Sequence, residues 1–420
     1  MKESRVTFLS DMGDIKDSST RCIHCGFCNS VCPTTNISSA FKEARTSRGR
    51  VVMLQSLVEG FGALEPYGRD FKELIDLCFS CRRCVEICPA GIPIPDLMSY
   101  ARYAYRKGNV EPLNLGQRVF ANYGTFDLLG SAMAPLSNWA LRNHQARRLL
   151  QRVVGIDERA LLPRFQRESF DSWFSKRPNR LREKKVVYFT DSYANYNDPA
   201  LAKTVVRLLE GLGYQVIVPP QKESGMPAIE YGLLEKARKL ARYNTGSLAS
   251  YAKQGIPVVC SSPAATHLLR QGYPNLMGGD DVISVSKGVV DISELLVREL
   301  EGGSLRFGAH PSQRVQYHYC CLSRALSLGK STERLLSAAG FSYGILEDCC
   351  GGAGVWGTFA NNYDLSGEIA AKLLHNIQPG SLVLTESETC KLQIESHGKV
   401  RTGFPLELLA HRASFAPPRP

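Results

Sequence analysis

No stretch of this chain approaches the roughly 18–20 consecutive apolar residues that a membrane-spanning helix requires. The opening residues, MKESRVTFLSDMGD, carry no apolar core of the kind that marks a secretory leader. Acidic side chains are in short supply: 40 Asp and Glu stand against 51 Lys and Arg, a net charge of +11. No helix-turn-helix, RNA-binding or aromatic–basic pattern accompanies that excess, which argues against nucleic acid as a partner. Between Cys88 and Cys260 there is no cysteine at all. These absences predict a soluble, cytoplasmic protein that touches a membrane, if at all, from its face.

The 14 cysteines that are present fall into blocks, eight from Cys22 to Cys88 and five after position 319. In a reducing compartment such clusters suggest metal ligands rather than disulfides. CIHCGFCNSVCP supplies Cys22, Cys25, Cys28 and Cys32; CFSCRRCVEICP supplies Cys78, Cys81, Cys84 and Cys88. Both follow C-x2-C-x2-C-x3-C-P, the bacterial run that binds [4Fe–4S] clusters and lends its fourth cysteine to the other cluster. One cluster is therefore expected on Cys22, Cys25, Cys28 and Cys88, the other on Cys78, Cys81, Cys84 and Cys32. Zinc is the alternative for thiolate sets, and the doubled run with its prolines disfavours it. FKEARTSRGRVVMLQSLVEGF and GRDFKELIDLC, between the runs, read as helical. The expected N-terminal unit, residues 1–105, is a helical ferredoxin domain with two [4Fe–4S] clusters.

Residues 106–185 read as a basic helical linker. Within it, residues 141–185 hold 13 Lys and Arg against 5 Asp and Glu. That excess suits an anionic membrane surface, an acidic partner or a solvated face. APLSNWALRNHQARRLLQRVVGI sets Trp139, Leu149, Leu150 and Val153 on one helical side, with Arg142, Arg147, Arg148 and Arg152 interleaved. Such a helix either lies in a membrane interface or packs on its own protein.

From residue 186 strands alternate with helices, which predicts parallel α/β structure. KKVVYFT, YQVIVP and GIPVVC read as strands, and AIEYGLLEKARKLARYN as one long helix. The last third repeats this order. Gly213 aligns with Gly340 at an offset of 127, Ser192 with Cys321 at 129, Ser224 with Cys350 at 126, and Ala265 with Cys390 at 125. The reading is a duplicated module: residues 186–305 without cysteine ligands, and residues 306–415 with Cys321, Cys349, Cys350 and Cys390 at strand ends. In open α/β sheets ligands gather beyond the carboxyl ends of the strands, so these four are expected to hold a further iron–sulfur cluster. Gly351 and Gly352 would let the backbone approach it. Cys320 is a ligand or a bystander, and Cys260 reads as a buried structural cysteine. GAGVWG, Gly352 to Gly357, fits G-x-G-x-x-G, but the adjacent cysteines explain its glycines better than a dinucleotide would.

The two ferredoxin runs, TDSYANYNDP, DCCGGAGVWG and SETCKLQIES together resemble the family of anaerobic glycerol-3-phosphate dehydrogenase C subunits over essentially the whole chain. The C-terminal half is similar to the cysteine-rich CCG modules of heterodisulfide reductase B subunits and of glycolate and lactate oxidase iron–sulfur subunits. The resemblance implies a multidomain fold, α followed by α/β, and an oxidoreductase subunit that transfers electrons without being catalytic alone. A partner flavoprotein would oxidise a small hydroxy substrate, and electrons would pass through this chain toward membrane quinone, on the cytoplasmic face of the inner membrane. Other members would make it a glycolate or D-lactate oxidase subunit, or a heterodisulfide-reductase-like subunit with thiol–disulfide chemistry. The family's first module usually carries cysteines that would fall at Ser192, Glu223-Ser224 and Ala265. Their absence counts against functions needing two CCG clusters. The family's late C-x-x-C is here reduced to Ser387 and Cys390.

Overall fold

The computed structural model describes residues 2–35, 43–61, 64–108, 112–178, 181–308 and 313–416. The N-terminal unit is helical. Helices Lys2–Met12, Ser47–Glu59, Arg69–Asp76 and Ile94–Gly108 enclose a core that includes Phe8, Leu54, Phe71, Leu97 and Met98. The helix expected between the two cysteine runs forms over Ser47–Glu59. Thr46 starts it by accepting a hydrogen bond from the Gly49 N–H, and Gly60, at φ +83°, ends it. Phe41 and Lys42, at the start of the expected segment, lie outside the described residues.

The basic segment breaks into short helices rather than one long one: Leu115–Ala121, Tyr123–Ala132, Ala134–Arg142 and His144–Val154. The helix expected from Ala134 onward stops at Asn143. That residue takes an extended ψ of 123°, and its side chain accepts from the N–H groups of Gln145 and Ala146, capping the next helix instead of continuing the first. Among the described residues no helix is long and apolar enough to cross a membrane.

The C-terminal half holds two four-stranded parallel sheets. Strands β1 (Lys185–Phe189), β2 (Gln215–Ile217), β3 (Val258–Cys260) and β4 (Val289–Asp291) run in the order β2-β1-β3-β4. After β5 (Leu305–Phe307) come β6 (Gln313–His318), β7 (Phe341–Leu346), β8 (Leu382–Leu384) and β9 (Arg401–Gly403), in the order β7-β6-β8-β9. Both sheets therefore place their first strand second, their second strand at the edge and the third and fourth on the other side. Apolar, fully buried strands such as Val186–Phe189 are what a parallel sheet covered on both faces needs. One core runs through both sheets, joining Tyr188, Val205 and Leu209 to Tyr317, Leu335 and Phe404. The final strand, β10 (Ala413–Phe415), pairs antiparallel with β5.

Two local expectations differ from the structure. The long helix expected from Ala228 is interrupted at Gly232, whose φ of +69° lets the chain press against the Arg102 backbone; a Cβ there would lie 2.6 Å from the Arg102 carbonyl carbon. The helix resumes at Leu234–Lys253. Cys390 sits in the first turn of helix Glu388–Gly398 rather than at the end of β8, because Ser387 caps that helix through the Cys390 N–H.

Candidate metal centres

The ferredoxin-type loops bring their cysteines together in two groups. Cys22, Cys25, Cys28 and Cys88 line one small cavity, and Cys32, Cys78, Cys81 and Cys84 line another. The grouping crosses between the runs because Cys32 and Cys88 each follow the turn that closes a short helix. Left-handed residues, Gly26 at φ +81° and Arg82 at φ +60°, start those helices, Phe27–Val31 and Arg83–Glu86.

The two groups have different surroundings. In the first, Cys25 is exposed, with Ile23 and Phe27 beside it on the surface. In the second, Arg50 is almost fully buried. Its guanidinium donates to the carbonyls of Leu74 and Leu77, to the Thr34 hydroxyl at 3.0 Å and to the Cys32 sulfur at 3.8 Å. Burial alone would raise the Cys32 thiol, but the Arg50 charge and the Thr34 and Ser47 hydroxyls outweigh it and hold Cys32 below its ordinary value. Arg102 adds a second buried guanidinium, donating to the carbonyls of Ile75 at 2.5 Å and Cys78 at 2.7 Å.

Beyond β6, β7 and β8 the structure brings Cys321, Cys349, Cys350 and Cys390 onto the wall of one cavity, where the Cys350 thiol donates to Cys390 at 3.3 Å. Cys81 of the ferredoxin unit lines the same cavity. The Cys321 contact, then burial, push the Cys81 thiol well up. Spacing alone gave no hint of this junction between Cys81 and Cys321. It is fixed by helix Arg83–Glu86 packing on helix Cys321–Ala325 and by the Phe79 ring, which lies 4.9 Å from that of Trp356. Cys320 lines the same cavity and packs with Cys350 and Cys390; it is buried, caps helix Cys321–Ala325 by accepting from the Ser323 N–H, and contacts the Ser323 hydroxyl at 3.2 Å. Cys260 is wholly buried in the core of the first sheet.

The glycines of the loop serve packing. Gly351 takes φ +78°, and a Cβ on it would lie 2.2 Å from the Ser366 carbonyl oxygen. A Cβ on Gly352 would rest in ordinary contact with the Cys350 sulfur. The GAGVWG loop runs into a single turn, Trp356–Thr358, and the next helix begins only at Tyr363. It therefore lacks the strand-to-helix turn that seats a pyrophosphate on a helix N-terminus.

At the equivalent end of the first sheet stands a network of oxygens. Asp191 accepts from the Tyr123 hydroxyl at 2.9 Å, from the N–H groups of Ser192 and Ser224, and from the Ser224 hydroxyl at 2.7 Å. The Ser192 hydroxyl donates to Asp127 at 2.7 Å. Burial, against the opposing Ser192 hydrogen bond, raises Asp127 to about 7. Ala265, aligned with Cys390, is wholly buried in the sheet's core. Tyr123 and Asp127 come from the basic segment, and the sequence offered no motif that pointed to them.

Thiolates are soft donors suited to iron–sulfur clusters. Among the described residues no three His, Cys, Asp or Glu are gathered tightly enough to hold a single metal ion.

Comparison with known proteins matches two parts of the chain to family models. A family model described as a 4Fe-4S dicluster domain matches residues 18–92, and one described as a cysteine-rich domain, CCG, matches residues 315–395. The chain is 31% identical over 408 residues to the C subunit of anaerobic glycerol-3-phosphate dehydrogenase of Escherichia coli (strain K12), covering 93% of this chain and 97% of that protein. It is 25% identical over 407 residues to the glycolate oxidase iron-sulfur subunit of the same organism, covering 92% of each. It is 24% identical over 374 residues to D-2-hydroxyglutarate dehydrogenase of Pseudomonas putida, of which it covers 35%.

Proposed function

Because this chain belongs to the family of anaerobic glycerol-3-phosphate dehydrogenase C subunits, we propose that it relays electrons from a flavoprotein dehydrogenase toward membrane quinone. The observation that carries this reading is the gathering of Cys81, from the ferredoxin unit, with Cys321, Cys349, Cys350 and Cys390 around one cavity. Cys22, Cys25, Cys28 and Cys88 would hold the first [4Fe–4S] cluster, Cys78, Cys81, Cys84 and Cys32 the second, and Cys321, Cys349, Cys350 and Cys390 a third. Bound there, the clusters supply one-electron transfer at potentials set by burial, charge and hydrogen bonds to sulfur. Arg50 and Arg102 place positive charge beside the second set. Exposed Cys25, with Ile23 and Phe27, marks the face on which the flavoprotein docks.

The two sheets derive from one duplicated module. Their identical strand orders support this, as do the paired left-handed glycines Gly213 and Gly340, at φ +87° and +75°, and Gly225 and Gly351, at φ +95° and +78°. Membrane contact falls to the basic segment. Leu128, Leu129, Met133, Leu136, Trp139, Leu149 and Val153 are each more than half exposed there. Arg148 and Arg152 flank them. Arg147 does not share this role: it is buried and donates to the carbonyls of Asp157 and Ala160.

Iron and sulfide analysis with electron paramagnetic resonance tests the relay. Three clusters are expected; zinc alone, or a single cluster, overturns it. Replacing Arg148 and Arg152 by Gln is expected to weaken binding to anionic vesicles by about 1 kcal/mol per charge, and unchanged binding would remove the membrane face.

A further inference from the structure

Arg50 stands in the first turn of helix Ser47–Glu59, where the helix dipole already presents positive charge and disfavours a cation. It is nevertheless only 1% exposed, and it lines the small cavity of Cys32, Cys78, Cys81 and Cys84. Its guanidinium donates to neutral acceptors, the carbonyls of Leu74 and Leu77 and the Thr34 hydroxyl, each at 3.0 Å, and reaches the Cys32 sulfur at 3.8 Å. Among the described residues no carboxylate forms an ion pair with it. The neighbouring arginines differ. Arg82, on the same cavity wall, pairs with Asp96 at 3.0 Å, and Arg102 lies 3.6 Å from Asp76. Beside the first set, Arg48 lines the cavity, but its side chain is 34% exposed and pairs with Glu43 at 2.8 Å. An exposed pair is screened by water and salt. A buried, unpaired cation is not, and its burial is costly until an anion meets it. Thiolates holding a cluster supply that anion.

We infer that Arg50 is a positioning residue for electrons: its charge, set against Cys32, makes the second cluster the more readily reduced of the ferredoxin pair and so draws electrons inward, from the Cys25 side to the Cys81 side. The inference rests on the relay proposed above. Each electron added to a thiolate-bound cluster makes it more negative, and a fixed positive charge in a low-dielectric interior favours that state. Burial works the other way, because less water stabilises the added charge. Here burial separates the two sets little. Each has one buried cysteine, Cys28 and Cys84; the others are half-buried except Cys25, which is exposed. Charge therefore decides. The first set has a cation neutralised by Glu43, and the second has an unneutralised cation held against a ligand. One electron leaves the first set for each that enters the second; no bond forms or breaks and no proton moves.

Redox titration of the full chain holding its clusters, followed by electron paramagnetic resonance, tests the assignment. Cys25→Ser marks which signal belongs to the first set. In the unaltered chain the second cluster is expected to be reduced at the higher potential. Arg50→Gln is expected to turn the second cluster's reduction equilibrium back by about ten- to a hundredfold, ~60–120 mV at about 59 mV per tenfold, and to leave the first unmoved. Arg50→Lys keeps the charge without the planar fork and is expected to restore most of that shift. A merely structural role would leave the Lys and Gln variants alike. Arg50→Met takes the place of Arg50→Gln if that variant fails to fold. The inference is overturned by an unmoved second cluster, by equal shifts in the charged and neutral variants, or by a first cluster that is the easier to reduce in the unaltered chain. Reduction of the clusters by the flavoprotein is followed separately. If the flavoprotein reduces them and loss of Arg50 shifts nothing, the relay stands and this inference falls. If the shift is found and the flavoprotein reduces no cluster, the charge effect stands and the relay reading falls.

Discussion

The two sheets share a strand order and offer opposite chemistry at the same end. Past β6 and β7 stand Cys320, Cys321, Cys349 and Cys350; past β1 and β2 stand Asp191, Ser192, Glu223 and Ser224. In both, the loop after the second strand turns on a left-handed glycine. The lesson is that strand topology decides where side chains gather, while residue type decides what they handle. One end is built of soft donors that suit iron and electrons. The other is a closed set of hydroxyls and carboxylates suited to protons.

Breaking the cysteine end has the largest expected effect. Cys350→Ser is expected to abolish the C-terminal cluster signal and lower iron content by about a third, from three clusters to two. Loss of the ferredoxin signals as well would contradict the independence of the two units. Breaking the oxygen end acts on stability instead. Asp191→Ala strips a shared acceptor from Tyr123 and Ser224 and is expected to cost about 1–3 kcal/mol in denaturant unfolding, with iron content unchanged.

The oxygen end also carries a pH signature. Asp127 is raised from 3.8 to about 7, so the folded state holds a proton that the unfolded chain has lost. Stability from this group is complete below about pH 4 and declines as pH rises toward 7. Asp127→Asn is expected to flatten that part of the pH–stability curve, read from thermal melts. The smallest effect sharpens the comparison from the other direction. Ser192→Cys with Ser224→Cys restores two thiols but leaves Glu223 and Ala265 in place, and is expected to add no iron by elemental analysis.

The sequence carried whatever is local. Four cysteines at fixed spacing name a cluster run, and apolar strands between helices name a parallel sheet. Offsets of 125–129 between Ser192, Ser224, Ala265 and their cysteine counterparts marked both ends of the comparison. Hidden from it were partnerships across long separations. Asp127 meets Ser192 from 65 positions away, and Cys81 meets Cys321 through the packing of two short helices. Arg147 looked like a surface cation because its neighbours on the helix are exposed, yet it points inward to two carbonyls. Neither hydrophobic period nor charge count distinguishes a cation that solvates from one that satisfies buried backbone.

Phe79 and Trp356 meet ring to ring at the seam between the ferredoxin unit and the second sheet. Phe79 lies between Cys78 and Cys81, and Trp356 follows Cys350 by six residues. The mechanical joint and, on the proposed relay, the electron path would thus run through the same few residues. On the proposed relay, a domain rotation that opened the joint would also part the cysteines on its two sides, so electron flow would require the two units to stay closed on each other.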